Sequence, residues 1–255
     1  MRVGLHNHTC FSDGRLSPSE LIAQAEKLGY ERFAITDHNL LSGWQSVRTL
    51  PNWVVPGIEL SALTENGTEI HLLGLDVKPK ADLLAHSQYF TEAYSDLWQE
   101  GVFIVTGDGQ LAALARNPLT RTQAVDQICE RAGAKEAVRA WSIGHRHLYT
   151  DRLRSKMPFW KDAIALLHRS QATVGLAHPQ RYPSLPDMAA ILDAVDAVEV
   201  IHPTHSLEQQ HYWSQEAVQR DKQLWGSHDF HGWSGEQADG LLEPIQLEIE
   251  TLCNR

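Results

Sequence analysis

The chain is poor in the features that mark secreted, membrane-bound or polymer-binding proteins. It has 3 cysteines in 255 residues. Cys10, Cys129 and Cys253 lie far apart, which excludes a disulfide framework and a CxxC metal knuckle and fits a reducing compartment. No apolar run approaches the ~20 residues that span a bilayer, and no basic-then-apolar stretch opens the chain. A cytoplasmic location and no membrane partner are therefore expected. Positive charge is scarce too, with 22 Lys and Arg against 32 Asp and Glu and a formal net charge of −10. That balance argues against charge-driven binding to long double-stranded nucleic acid. It still permits a small anion at a local positive centre, which bound divalent ions would supply.

What the chain has in number is histidine, 14 in all. The stretch RVGLHNHTCFSDG at residues 2–14 places His6 and His8 at one parity and Val3 and Leu5 at the other. On a strand the two imidazoles share a side, about 6.6 Å apart along the backbone, and can converge on one metal ion. Asp13 and Gly14 follow in a turn. A helix is expected over 17–29, with Ser17 as N-cap, Pro18 in the first turn, Glu20 completing a capping box and Gly29 at the stop. Residues 33–36 then form a strand running into Asp37-His38-Asn39. Residues 53–60 make a third strand carrying Glu59, and 69–77 a returning strand carrying His71, joined by a turn at Asn66-Gly67. A helix is expected at 81–99; the apolar run 102–105 reads as a strand or as helix-entry packing.

Residues 109–157 break the strand–helix rhythm and read as an inserted helical cap between two barrel parts, 1–108 and 158–255. Alternation resumes with helices at 159–170, 185–193 and 206–221. The strands between and after them are 172–177, 197–201 and 223–227. The C-terminal LEPIQLEIETL adds an edge strand or closes a barrel. Single ligand-type residues at strand ends are commonly caps or hydrogen-bonded core groups. Here nearly every strand delivers one at the same end, including His178, Glu199, His205, Asp229 and His231. That recurrence favours a multinuclear divalent metal site at the C-terminal mouth of an α/β barrel.

Several blocks together resemble the PHP (polymerase and histidinol phosphatase) family. They are His6-Asn7-His8-Thr9 with Asp13-Gly14, Ile35-Thr36-Asp37-His38-Asn39, Pro56-Gly57-Ile58-Glu59, His71-Leu72-Leu73-Gly74, Ala177-His178-Pro179 and Asp229-Phe230-His231-Gly232. The resemblance implies a distorted (β/α)7 barrel with a small helical insert, two or three divalent metal ions (Mn²⁺, Fe²⁺ or Zn²⁺) and phosphoesterase activity. The insert after the His71 strand looks most like that of the stand-alone nucleotide phosphatases and short-RNA 5′-exonucleases.

Carried over by position, the resemblance puts His6, His8 and Asp229 on a first metal. Glu59 would bridge it to a second, held by His71 and His178, while Asp13, His38 and His231 would hold a third. It implies Glu59, Asp229, His205 and His231 as catalytic residues, Arg121 and His205 as phosphate-binding residues, and supporting roles for Asp37 and Glu199. The implied substrate is a small nucleotide of the 3′,5′-nucleoside bisphosphate type, or a short oligonucleotide trimmed from its 5′ end. Histidinol phosphate or another small phosphomonoester, and a metal-binding module with little catalysis, stand as alternatives. Trp141, Tyr149 and Phe159 are candidates to stack on a base, or are core. Two stretches depart from the family pattern: Ser227-His228-Asp229 where relatives commonly have Gly-Ser-Asp, and Arg121-Thr122-Gln123 where close relatives often have Arg-Pro-His.

Overall fold

The computed structural model describes residues 1–247. Strand β1 (Arg2–Gly4) leads through a loop to α1 (Pro18–Lys27), then β2 (Arg32–Ile35), a single turn α2 (Ser42–Gln45), β3 (Val54–Leu63) and β4 (Glu69–Leu75). A helical run follows: α3 (Ala81–Thr106), α4 (Gly109–Arg116), α5 (Pro118–Ala132) and α6 (Ala134–Leu148). The chain then alternates α7 (Trp160–Arg169), β5 (Thr173–Leu176), α8 (Met188–Ala194), β6 (Ala197–Ile201), α9 (Leu207–Gln219), β7 (Gln223–Gly226) and β8 (Ile245–Gln246). The expected capping box is present: Ser17 N donates to the Glu20 carboxylate at 2.9 Å and Glu20 N to Ser17 Oγ at 3.3 Å, fixing where α1 starts.

The strands are ordered β7-β6-β5-β4-β3-β2-β1-β8. Pairing is parallel except where β4 runs against β3 and β5, and where β8 runs against β1. The reversed strand follows from the turn at Asn66-Gly67, where Gly67 takes a φ of 78°. Leu5 N donates to Gly226 O at 3.2 Å and His8 N to Phe230 O at 2.9 Å. The segments after β1 and β7 therefore meet, and the sheet curls into a nearly closed, distorted barrel. The expected C-terminal strand is described only as β8; the remainder from 248 lies outside the described residues.

Strand parity divides the core. Ala34, Val55, Leu73, Leu75, Ala197 and Trp225 fill the barrel, whereas Phe33, Ile35 and Val54 meet α1 outside it and Leu72, Val174 and Val198 meet α7–α9. The apolar run at 102–105 is the C-terminal end of α3. Val102 is buried there, and with Trp98 it packs among Leu111, Val125, Ile128 and Ala140. The C-terminal end of α3 therefore packs with α4, α5 and α6. α3 and α6 cross closely enough that a Cβ at Gly101 would lie 1.8 Å from Ala140 O, and one at Gly144 2.1 Å from Leu97 O. This close crossing locks α6 onto α3, and Trp98 of α3 donates its indole N–H to Ser12 O at 3.1 Å, tying the helices to the loop after β1.

Candidate metal centre

The segment after β1 stays extended. Asn7 turns away from the pocket and donates to Gly4 O at 2.9 Å and Ala34 O at 2.8 Å, leaving His6 and His8 on the opposite side. The loop then doubles back so tightly that a Cβ at Gly14 would sit 2.3 Å from His8 O. This turn brings Asp13 beside His8. Glu59 points inward from β3, and His71 from β4 faces it. His178 and Asp229 follow β5 and β7 in left-handed backbone, φ 30° and 47°, as does Asn39 at 56°. Such conformations are costly for non-glycine residues and cluster at functional sites.

Glu59, with no solvent exposure, stands at the centre. Its Oε2 lies 3.1 Å from His6 Nε2, 3.2 Å from His8 Nε2 and 2.9 Å from His38 Nδ1. Its Oε1 lies 2.8 Å from His71 Nδ1 and 3.0 Å from His178 Nε2. Asp229 Oδ1 lies 3.2 Å from both His6 Nε2 and His8 Nε2. Around Asp13, Oδ2 is 3.2 Å from His231 Nε2 and 3.6 Å from His38 Nε2, and Oδ1 is 3.6 Å from His8 Nδ1. Three overlapping donor groups result: His6-His8-Glu59-Asp229, His38-Glu59-His71 and His8-Asp13-His38-His231.

An ordinary buried ion-pair network would satisfy these atoms among themselves. It does not: His6 Nε2, both ring nitrogens of His8, Asp13 Oδ1, Glu59 Oε2 and Asp229 Oδ1 are buried without an aligned hydrogen-bond partner. They are close but not pointed at one another as donor and acceptor. Ligands about 2.0–2.2 Å from one cation lie about 2.8–3.6 Å from each other, from octahedral to tetrahedral geometry, and the separations of 2.8 to 3.2 Å around Glu59 and Asp229 fall in that range. The donor set therefore fits divalent cations. Unpaired burial of so many polar atoms would otherwise be expensive.

The charges agree. Burial alone would raise the Glu59 carboxyl, but His38, His6 and His71 hold it well below its usual range. Asp229 is likewise low, as His6 and His231 outweigh burial. Burial would lower His71 and His231, yet Glu59 and Asp13 respectively raise them to about 10. His178, with burial dominant, falls to about 4 and is held neutral, the form in which imidazole ligates metal. Metal binding must then displace protons from several imidazoles.

Supporting contacts orient these groups. Glu199 Oε1 lies 3.2 Å from His6 Nδ1 and accepts from Ser227 Oγ, while its Oε2 accepts from His178 N at 2.7 Å. Asp37 accepts from Thr9 N at 2.8 Å, Thr9 Oγ1 at 2.7 Å and Ser12 Oγ at 2.6 Å, tying the loop after His8 to the end of β2. Three further groups lend support: Tyr182 and Glu69, which were missed from sequence, and His202, one of the histidines recurring at strand ends. Tyr182 bonds His71 N and His178 Nδ1, both at 3.1 Å. Glu69 lies 3.3 Å from His71 Nε2 and accepts from Tyr149 of the insert. His202 lies 3.3 Å from Asp229 Oδ2. Glu69 opens β4 two residues before His71, and only tertiary placement reveals its contact with that ring.

Two sequence expectations meet a different placement. Arg121 is fully buried, its guanidinium donating to the carbonyls of Cys10 and Phe11 and to Ser95 Oγ. From there it braces the Cys10–Phe11 loop and does not line the open cavity. His205 packs its ring 5.3 Å from that of His202 and turns Nδ1 to Val200 O at 2.9 Å, outside the three donor groups. The cation that does reach the site is Arg181, 2.8 Å from Asp229 Oδ2. Beside the cluster opens a cavity of about 390 Å³ whose wall includes Asp13, Asp229, His231, Arg181 and His202.

Barrel, strand-end ligands and cavity now stand together, and comparison with known families agrees with them. Residues 4–107 match the PHP domain. This PHP segment carries His6, His8, Asp13, His38, Glu59 and His71; His178, Asp229 and His231 come from the chain beyond it. Over 250 residues the chain is 28% identical to phosphoribosyl 1,2-cyclic phosphate 1,2-diphosphodiesterase of Eggerthella lenta, covering 91% of this chain and 94% of that protein. It is 27% identical over 252 residues to the 5′-3′ exoribonuclease Rnm of Escherichia coli, covering 89% and 84%. Two solved structures share the fold. One, from Bifidobacterium adolescentis and assigned as a metal-dependent phosphoesterase, has a TM-score of 0.66 at 24% identity, covering 95% of this chain and 91% of that one. The other, an amidohydrolase from Chromobacterium violaceum, has a TM-score of 0.62 at 22% identity, covering 91% and 88%. Groups that could hold metal ions thus converge at the mouth of a PHP-type barrel, an arrangement suited to hydrolysis.

Proposed function

We propose that this chain is a metal-dependent phosphoesterase of the PHP family that removes phosphate from a small nucleotide of the 3′,5′-bisphosphate type. Trimming short oligonucleotides from the 5′ end is an extension of the same chemistry. The observation that carries the reading is the set of unpartnered buried donors converging around Glu59 and Asp229. The relatives are named for cleaving a cyclic phosphodiester and an RNA chain, so phosphate esters are the common substrate class.

Two or three ions, of Mn²⁺, Fe²⁺ or Zn²⁺ type given mixed imidazole and carboxylate donors, would neutralise the phosphoryl oxygens and provide an activated water at neutral pH. His6, His8, Glu59 and Asp229 would hold one; Glu59, His71 and His178 a second; and Asp13, His38 and His231 a third. Glu199 and Glu69 fix the imidazoles of His6 and His71, so ligand geometry is set before substrate arrives. Arg181, anchored by Asp229, offers its remaining donors to a phosphate oxygen. Among the described residues no helix is long and apolar enough to cross a membrane.

The test is phosphate release by metal-loaded protein from a panel. It comprises a 3′,5′-bisphosphate, a mononucleotide, a 5′-phosphorylated dinucleotide and histidinol phosphate. Nucleotide turnover lost on chelation and restored by added metal is the expected result. Turnover that survives full metal removal, or confined to histidinol phosphate, contradicts the reading.

A further inference from the structure

The cavity beside the candidate metal centre has a lining of two chemical kinds. Asp13, Asp229 and His231 belong to the centre itself, and two indoles, Trp141 on α6 and Trp233 in the loop after β7, also line it. Both are half-buried and take part in the cavity lining. Trp141 is backed by Trp98 and Tyr94, with ring centroids at 5.2 and 5.4 Å. Trp233 donates its indole N–H to the carbonyl of Asp13 at 2.5 Å, which ties it to a metal-ligand loop. Arg181 and His228 also line the cavity. Arg181 uses one guanidinium nitrogen on Asp229 and is 43% exposed; His228 bonds Glu243 O through Nε2 at 2.8 Å.

We propose that this cavity is the leaving-group subsite, selecting a nucleoside whose base lies against Trp141 and Trp233 and whose second phosphate pairs with Arg181. The inference rests on the phosphoesterase reading and adds the residues that choose the substrate. A base presents a flat π-face to an indole whatever its hydrogen-bonding edge, and such stacking strengthens binding about 5–150-fold. Arg181 holds a forked, permanently charged donor set suited to a phosphate. At about 390 Å³ the cavity lies near the small end of ligand sites, with room for one base and its sugar. Trp141 therefore has a second task besides packing, whereas Tyr149 is engaged with Glu69 and Phe159 packs against the barrel's outer core.

The experiment compares adenosine 3′,5′-bisphosphate, adenosine 5′-monophosphate and glycerol phosphate as substrates of the metal-loaded wild type, W141L, W141F and R181Q. Calorimetric binding of the same three compounds to metal-free protein is measured in parallel. The wild type should prefer the nucleotides over glycerol phosphate at least about tenfold in kcat/KM. W141L should erode most of that preference through KM, and W141F should restore part of it. R181Q should raise KM for the bisphosphate more than for the monophosphate. Equal losses on all three substrates in W141L would overturn the base-stacking assignment, and equal KM rises for the two nucleotides would overturn the role of Arg181. If no ester is hydrolysed, the phosphoesterase reading fails. Calorimetry then decides the subsite by itself: nucleotide binding weakened in W141L supports it, and no nucleotide preference refutes it.

Discussion

Replacing Glu59 with Gln changes one oxygen for an amide nitrogen and leaves the shape intact, so its effects report charge and ligation. Five imidazole nitrogens lie within 3.2 Å of its two oxygens. The amide nitrogen cannot ligate, and a neutral group no longer balances His6 and His71, whose protonated forms Glu59 favours. Removing one side of a buried charge pair costs about 3–5 kcal/mol. At roughly 2–4 °C per kcal/mol for a chain of this size, metal-free E59Q should melt some 6–20 °C below the metal-free wild type. Because the two oxygens face different ligand groups, metal analysis after gel filtration should show two equivalents lost together. Phosphate release should fall at least ~100-fold, the scale of losing one group that acts on the transition state. Wild-type metal content in E59Q, or loss of a single equivalent with activity retained, would refute the shared-ligand argument.

Arg121→Met should cost about 2–4 kcal/mol in urea unfolding, because the carbonyls of Cys10 and Phe11 lose their donor; a KM rise at unchanged stability would show a substrate contact instead. Glu69→Gln weakens the hold on His71 Nε2 and should reduce metal affinity about 10–100-fold by competition with a chromophoric chelator, an effect absent if Glu69 merely packs. His86 on α3 is pushed down to about 4 by burial. The unfolded chain therefore binds more protons than the folded one between about pH 6.5 and 4; His86 costs nothing above that window, and about 2 kcal/mol by pH 5. Urea titrations at pH 7.5 and 5 should show H86Q losing less stability on acidification than the wild type, and parallel losses would contradict the assignment.

How far the sequence could be read depended on whether a signal was local. Alternation and capping located α1, β6 and α9 within a few residues, because Ser17-Glu20 and the alternation of Ala197–Ile201 act at short range. The recurrence of His and carboxylates at strand ends pointed to the cluster for the same reason, since parity fixes which way His6 and His8 face. Charge alone did not reveal burial. Arg121 and Arg181 look alike in sequence, yet one is sealed beneath a loop and the other reaches Asp229. The run at 102–105 was ambiguous because helix and strand both bury short apolar stretches; packing of α3 on α6 decided it. Trp233 and Glu69 escaped notice because their partners, Asp13 and His71, meet them only once the barrel closes.

The central claim is tested most directly by anomalous diffraction from crystals of protein purified without chelator. Peaks are expected about 2.0–2.3 Å from the ligating atoms, one among His6, His8, Glu59 and Asp229 and another among Glu59, His71 and His178. A map with no peak there, and with the imidazoles and carboxylates closed onto one another in direct hydrogen bonds, would contradict it.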